Sequence, residues 1–236
     1  MRDFSYLAAL LCCVPIAFAQ DPAKSDPAHY KVEFENVRVR VLRIKYGPHE
    51  KSPMHEHPDG VAIFLTADQS TDTLPDGTTH RSNWKAGEAT WTSAGKHAPD
   101  NTSDNPLELI LVELKGSTGV GSEIINKKEN SEATKLVAAT HQSAESQRLT
   151  VKFENDRVRV LELRLKPGEG EGFHAHPEYL LYALTNYRVK NTAADGTTKV
   201  FERKAGDIFW GEPITHKGEN VGDTEVRALI VELKQR

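Results

Sequence analysis

Cysteine is almost missing from this chain of 236 residues: there are two, Cys12 and Cys13, side by side. Long apolar runs are missing too. The strongest, Leu7 to Ala19, is about a dozen residues, too short to span roughly 30 Å of hydrocarbon as a helix. It ends in Ala17-Phe18-Ala19, the small-x-small pattern cleaved by a signal peptidase. Residues 1–19 read as a signal peptide with cleavage after Ala19, although Arg2 is the only positive side chain ahead of the run and Asp3 offsets it. Lipoprotein-type processing at Cys12 fits less well, because Leu11 before it is not small. The mature chain is then expected to be secreted or periplasmic, with no membrane segment. It has no disulfide framework, thiol nucleophile or thiolate ligand. An excess of one charge is also lacking: 30 Lys and Arg stand against 34 Asp and Glu, interspersed, for a net −4, so nucleic acid is not an expected partner. That charge says nothing of oligomeric state. A Gly-rich phosphate loop, a Ser-His-Asp order and a CxxC pair are absent, and Ser52, the serine nearest His55, has no neighbour that would activate it. The remaining composition, 38% hydrophobic, 27% charged and 7% aromatic, is that of a globular protein and excludes collagen or extended disorder.

What is present is a repeat. Shifted by 119 residues, the chain aligns with itself without a gap from Val32 to Lys115, with 32 identities in 84 positions. Val32-x-Phe34-Glu35-Asn36 matches 151–155, Arg38 to Leu42 matches 157–161, Asp76 to Thr79 matches 195–198, and Val112 to Lys115 matches 231–234. Two copies of one domain are expected, residues 30–116 and 148–236, after an N-terminal tail at 20–29. Each is small for an isolated core, so the halves should pack on each other. The polar segment 117–147 has no counterpart and reads as a linker, with a short helix foreseen over Glu132 to Ala144.

Within each copy the apolar residues alternate, as in Val37, Val39 and Val41 or Leu107, Leu109 and Leu111, which is the period of strands. Turn signals separate them: Pro58-Asp59-Gly60, Asp76-Gly77 and Gly87, then Pro167-Gly168, Asp195-Gly196 and Gly206. Asp-Gly favours a two-residue hairpin, since glycine accepts the positive φ required there. Many short strands at this spacing predict an all-β sandwich or barrel.

Six of the ten histidines form matched pairs across the repeat: His55 with His174, His57 with His176, and His97 with His216. At the overall rate of identity, three chosen positions would all be retained in only about one case in twenty. His-x-His on a strand puts both imidazoles on one face, about 6 to 7 Å apart, and a third histidine on a neighbouring strand can complete a set. Three neutral imidazoles suit Fe, Zn, Mn, Ni or Cu and leave coordination positions open.

These residues resemble the cupin superfamily over nearly the whole mature chain. Its first motif opens with Gly, five residues and His-x-His, as in Gly168 to His176; in the first copy His49 replaces the glycine ahead of His55-Glu56-His57. Its second motif, ending in His-x-x-x-Asn, is similar to Gly87 to His97 with Asn101, and to Gly206 to His216 with Asn220. The resemblance implies two tandem double-stranded β-helix barrels, a bicupin, with a divalent transition metal in each. It breaks where the family carries a glutamate ligand, since Val61 or Ala62 and Leu180 or Leu181 stand there. A divalent ion held by three neutral ligands keeps its double charge and favours an anionic partner, so a small, acidic ligand is foreseen. Asp59 and Glu178 are candidate fourth ligands, though Pro58 and Pro177 interrupt the strand beside them. Asn101 and Asn220 are candidates to orient a histidine ring, or to close a turn.

The surroundings differ between copies. Phe173, Tyr179, Tyr182, Tyr187 and Phe209 stand near the second triplet where the first has Met54, Gly60, Ile63, Asp68 and Thr90. The second pocket is therefore expected to be more enclosed and aromatic, with Phe173, Tyr179, Tyr182 and Phe209 as pocket candidates, while the first site is expected to be weaker or more open. Trp91 and Trp210 read as core. Arg38, Arg40, Arg157 and Arg159, alternating with valines, read as the wet face of a strand. Three functions remain open: dioxygenase-like oxidation of a small molecule, as the resemblance to thiol and diketone dioxygenases implies; Zn- or Mn-dependent isomerisation or hydrolysis; and non-catalytic binding of a metal or small ligand.

Overall fold

A computed structural model describes residues 21–116 and 148–234. Residues 1–20, with Cys12, Cys13 and the expected signal peptide, and residues 117–147, with the foreseen helix, lie outside the described residues. The first half holds a short helix, α1 (Pro22–Ser25), and nine strands: β1 (Tyr30–Glu35), β2 (Val39–Tyr46), β3 (His55–His57), β4 (Gly60–Phe64), β5 (Asp68–Thr73), β6 (Thr79–Trp84), β7 (Ala89–Thr92), β8 (Gly95–Asn101) and β9 (Leu107–Leu114). The second half repeats the nine: β10 (Leu149–Glu154), β11 (Val158–Leu165), β12 (His174–His176), β13 (Tyr179–Ala183), β14 (Tyr187–Ala193), β15 (Thr198–Arg203), β16 (Ile208–Gly211), β17 (Ile214–Asn220) and β18 (Val226–Leu233).

Each half closes a five-stranded sheet, β1-β2-β9-β4-β7 or β10-β11-β18-β13-β16, over a four-stranded one, β3-β8-β5-β6 or β12-β17-β14-β15. All strand pairs are antiparallel, and the two halves share the same order. The five-stranded sheets bury apolar residues on both faces, so β2 and β9 carry buried side chains at successive positions such as Val41-Leu42 and Ile110-Leu111-Val112. One face lines the barrel: Leu42, Ile44, Tyr46, Leu107 and Leu111 gather there in the first half. The opposite face carries Val39, Val41, Ile110 and Val112 against Val158, Val160, Leu229 and Val231 of the other half, making one core between the barrels. Trp91 and Trp210 pack at its margin.

Matched ion pairs tie the barrels together. Arg38 meets Glu178 at 3.1 Å, and its counterpart Arg157 meets Asp59, the counterpart of Glu178, at 2.7 Å. Two of the four arginines read as a wet strand face, Arg38 and Arg157, thus bridge the two halves. The Asp-Gly turns are also longer than two residues. Gly77 and Gly196 sit at φ 83° and 86°, the N–H of Gly77 bonds the carbonyl of Leu74 and that of Gly196 the carbonyl of Ala193, and five and four residues separate the paired strands. This is a type I turn closed by a left-handed glycine.

The segment ahead of β1 does not trail away. Asp21 caps α1 by accepting from the Ala23 N–H, and the helix lies against β3. Asp26 accepts from His29 Nδ1 at 2.8 Å and from the buried Ser52 hydroxyl, and His29 stacks on Tyr46 with ring centres 4.4 Å apart. These contacts seal the first barrel beside its histidine strand.

Candidate metal centres

The pairing of β3 with β8 sets His55 directly opposite His97, and β12 with β17 sets His174 opposite His216. His57 and His176 lie two residues along on the same face, so each barrel gathers three imidazoles from two adjacent strands. In each group one donor atom from every ring lies within 4.8 Å of the others. All three rings are largely shielded from solvent, with His55 fully buried.

Hydrogen bonds fix the tautomers. The Pro53 carbonyl can only accept, so His55 Nδ1 donates to it at 2.8 Å; Gly172 plays the same part for His174 Nδ1 at 2.9 Å. His57 Nδ1 donates to Glu113 Oε1 and His176 Nδ1 to Glu232 Oε1, both at 2.6 Å. The Nε2 atoms therefore point inward as acceptors, and those of His55 and His57 stand only 3.0 Å apart, those of His174 and His176 2.9 Å. Burial, together with the neighbouring His57 and His97, pushes His55 down to about 4, and burial also lowers His57. Burial with His174 and His176 pushes His216 down to about 4. Near neutral pH the lone pairs of His55 and His57 then face each other at hydrogen-bond distance with no proton between them, an arrangement that a shared cation relieves. His97 Nε2 and His216 Nε2 are buried without a hydrogen-bond partner among the described residues, which points the same way. The donor set fits a divalent transition metal.

The glutamates that aim His57 and His176 are the main site residues that sequence reading passed over. Glu113 is paired across strands with Arg40, whose Nε reaches Glu113 Oε2 at 2.5 Å; Glu232 and Arg159 repeat this at 2.6 Å. Burial opposes ionisation of both carboxyls, but the bonds from His57 and Arg40, and from His176 and Arg159, outweigh it and hold them below the ordinary glutamate value. Arg40 and Arg159 thus belong to the sites rather than to a solvated face. The signal was available: each glutamate occupies a barrel-facing position of an apolar strand and is matched across the repeat.

Other candidates are corrected. Asp59 and Glu178 are held in the ion pairs between the barrels, Asp59 also accepting from the Ala94 N–H, so neither serves as a fourth ligand. Asn101 donates to the carbonyls of Gly47 and Asn105, and Asn220 to those of Leu165 and Thr224; they close loops rather than orient imidazoles. Phe173 is 54% exposed beneath Lys217, and Tyr182 lies in the core between the barrels. Tyr179 does line the second cavity, with Phe209 packed behind it at 6.2 Å. The carboxylate near a triplet is instead Glu171, whose Oε1 is 3.6 Å from His174 Nε2; its counterpart in the first barrel is Ser52.

The cavities also differ. That of barrel 1 is about 140 Å³ and reaches His57 and His97; that of barrel 2, beside His176 and His216, is about 50 Å³. The first is not poor in aromatics. Tyr30, Tyr46, Phe64 and Trp84 line it, and Tyr30 packs edge-on to His55 at 4.9 Å. Tyr30 and Trp84 come from β1 and β6, strands that carry none of the three histidines, so a comparison of sequence neighbours missed them.

No family model matches the chain, and no curated protein matches it. Solved structures do. A Bacillus subtilis oxalate decarboxylase aligns over 84% of this chain and 69% of its own, at 16% identity and TM-score 0.56. A study of the Mn(II) centres of the same enzyme aligns over 85% and 70%, at 13% identity and TM-score 0.55. A cupin domain from Bordetella pertussis aligns over 37% of this chain and 92% of its own, at 28% identity and TM-score 0.35. At the identities of the first two the likeness is one of fold, and it extends across both barrels.

Proposed function

The chain is a bicupin by fold, and from that premise we propose that it is an exported metal-dependent oxidoreductase acting on a small molecule, dioxygenase-like, with the reaction at His55, His57 and His97. One observation carries this reading: in barrel 1 the carboxylates of Glu113 and Asp72 lie on the Nδ1 side of the rings and the centre opens into the larger cavity, whereas in barrel 2 Glu171 stands beside His174 Nε2 and little space is left. A redox-active ion such as Fe or Mn held there would supply electron transfer and Lewis acidity. The Nε2 atoms of His55 and His57, 3.0 Å apart, with His97 Nε2 beside them, would hold such an ion.

The chain's own residues do the rest. Glu113 and Arg40 hold the His57 ring in one tautomer, and Asp72 Oδ1 lies 2.9 Å from His97 Nδ1. Three neutral donors would leave the positive charge of a bound ion uncancelled, which would favour an anionic substrate group. Tyr30 and Tyr46, joined by a 2.5 Å hydrogen bond, with Ser52 and Asp26 behind them, close the barrel beside the histidines and limit water there. The run from Leu7 to Ala19 supports export.

Metal analysis of the purified protein with oxygen-uptake assays tests this. Iron or manganese, with oxygen consumed on adding a substrate, supports the proposal. Stoichiometric zinc without oxygen uptake moves the assignment to an isomerase or hydrolase. A metal that raises the unfolding temperature without turnover makes the protein a binding module. A second reading, manganese-dependent cleavage of a small carboxylate without net oxygen consumption, is favoured by the fold shared with oxalate decarboxylase and by the uncancelled charge.

A further inference from the structure

Barrel 1 contains a second buried polar feature, away from the histidines. Asp68 opens β5 and is 1% exposed; Ser70 donates to its Oδ2 at 3.1 Å, while Oδ1 is buried with no hydrogen-bond partner among the described residues. Both Asp68 and Asp72 line the cavity, and Asp72 is the residue bonded to His97. Alternation along β5 places Asp68, Ser70 and Asp72 on one face, with Asp68 about 13 Å from Asp72 along the strand. The wall beside Asp68 is aromatic: Trp84 stands opposite it on β6 and is stacked on Phe64 at 5.4 Å.

The cavity exists because barrel 1 lacks what fills barrel 2. Gly60 stands where barrel 2 has Tyr179, and Asp68 where it has Tyr187, both buried rings lining the smaller cavity. A carboxylate replacing a tyrosine at a buried position with one oxygen unsatisfied is costly unless a donor arrives from elsewhere. Burial accordingly pushes its carboxyl up to about 6.

We propose that barrel 1 binds a two-ended planar ligand of about one substituted aromatic ring, with an anionic oxygen group toward His55, His57 and His97 and a hydroxyl or amine donating to Asp68. The assignment rests on the metal reading of those histidines and deepens it. A volume of about 140 Å³ suits one six-membered ring, since an engineered apolar cavity of about 150 Å³ accommodates benzene. A para-substituted ring, with a metal–oxygen bond at one end and a hydrogen bond at the other, reaches about 11 Å, comparable with the roughly 13 Å of strand that separates Asp68 from Asp72, the residue beside His97.

The test compares 4-hydroxybenzoate with benzoate, measured by calorimetry on protein whose metal content has been determined. The wild type is expected to bind the hydroxylated acid about ten- to a hundredfold more tightly, as one hydrogen bond to a charged acceptor allows. Asp68→Ala should abolish the preference while leaving metal content unchanged. Asp68→Asn, nearly isosteric and still offering an acceptor oxygen, should keep part of it, which guards against a folding defect in the alanine variant. Equal affinities in metal-loaded wild type, or a preference that survives in Asp68→Ala, overturns the ligand assignment alone. If the folded protein takes up no metal at the barrel 1 histidines, the functional reading falls, and the two-ended ligand with it.

Discussion

The two barrels share strand order, the three histidines and the Glu–Arg pair behind one of them, yet they fill their interiors differently. Each places a tyrosine over its buried second histidine: Tyr30 faces His57 with ring centres 5.8 Å apart, and Tyr179 faces His176 at 5.0 Å. Tyr30 comes from β1, where barrel 2 has Leu149; Tyr179 comes from β13, where barrel 1 has Gly60. The exchange is sterically coupled. A Cβ on Gly211 would fall 2.2 Å from the Tyr179 ring, while in barrel 1 Thr92 stands opposite Gly60. Behind the third histidine, Asp72 in barrel 1 corresponds to Asn191 in barrel 2, and His216 Nδ1 has no hydrogen-bond partner among the described residues. The metal donors and their orienting glutamate were retained together, while the volume around them was free to change. This separates the part of the barrel that holds an ion from the part that selects a ligand.

Removing a histidine should separate the barrels most sharply. His57→Ala and His176→Ala should each lose one equivalent of metal, measured by elemental analysis, and only His57→Ala should abolish turnover. Loss of turnover from both would break the division of labour between the halves. Next in size, Glu113→Gln and Glu232→Gln should each weaken metal binding in their own barrel by about 10- to 100-fold, because the ring they orient loses its partner. Competition with a chelator would show it, and an effect confined to one of the two would contradict their equivalence.

Much of this was legible beforehand. The repeat and the two-residue period fixed an all-β duplicated architecture, and the matched histidines converge as their spacing requires. Less legible was anything that depends on closure of the barrel. Glu113 and Glu232 sit 56 residues beyond the histidines they bond, and only inward parity on an apolar strand marks them. Glu171 was hidden because its counterpart is Ser52, so the repeat that sorted the histidines offered no match. Asp59 and Glu178 misled for the opposite reason: they are matched and close in sequence to the histidines, but they are used between the barrels.

Two smaller effects sharpen the comparison. Glu171→Ala should weaken metal binding in barrel 2 by about tenfold, the loss of one charged donor at the edge of the set. Ser52→Ala should leave metal binding in barrel 1 unchanged; chelator titration of the single-site variants distinguishes them. Smallest is His49→Gly. His49 holds φ 59° where its counterpart Gly168 holds 78°, and relief of that left-handed strain should raise stability by about 0.5 to 1 kcal/mol in a denaturant titration. The gain is reduced only slightly by losing the exposed pair of His49 with Asp104.

Anomalous diffraction from crystals grown with Mn or Fe and recorded at the metal edge tests the central claim most directly. Two peaks are predicted, each about 2.1 Å from three imidazole nitrogens, with Glu171 drawn onto the second alone. Rings that remain apart around featureless density, or a single ion bound at the surface, would contradict it.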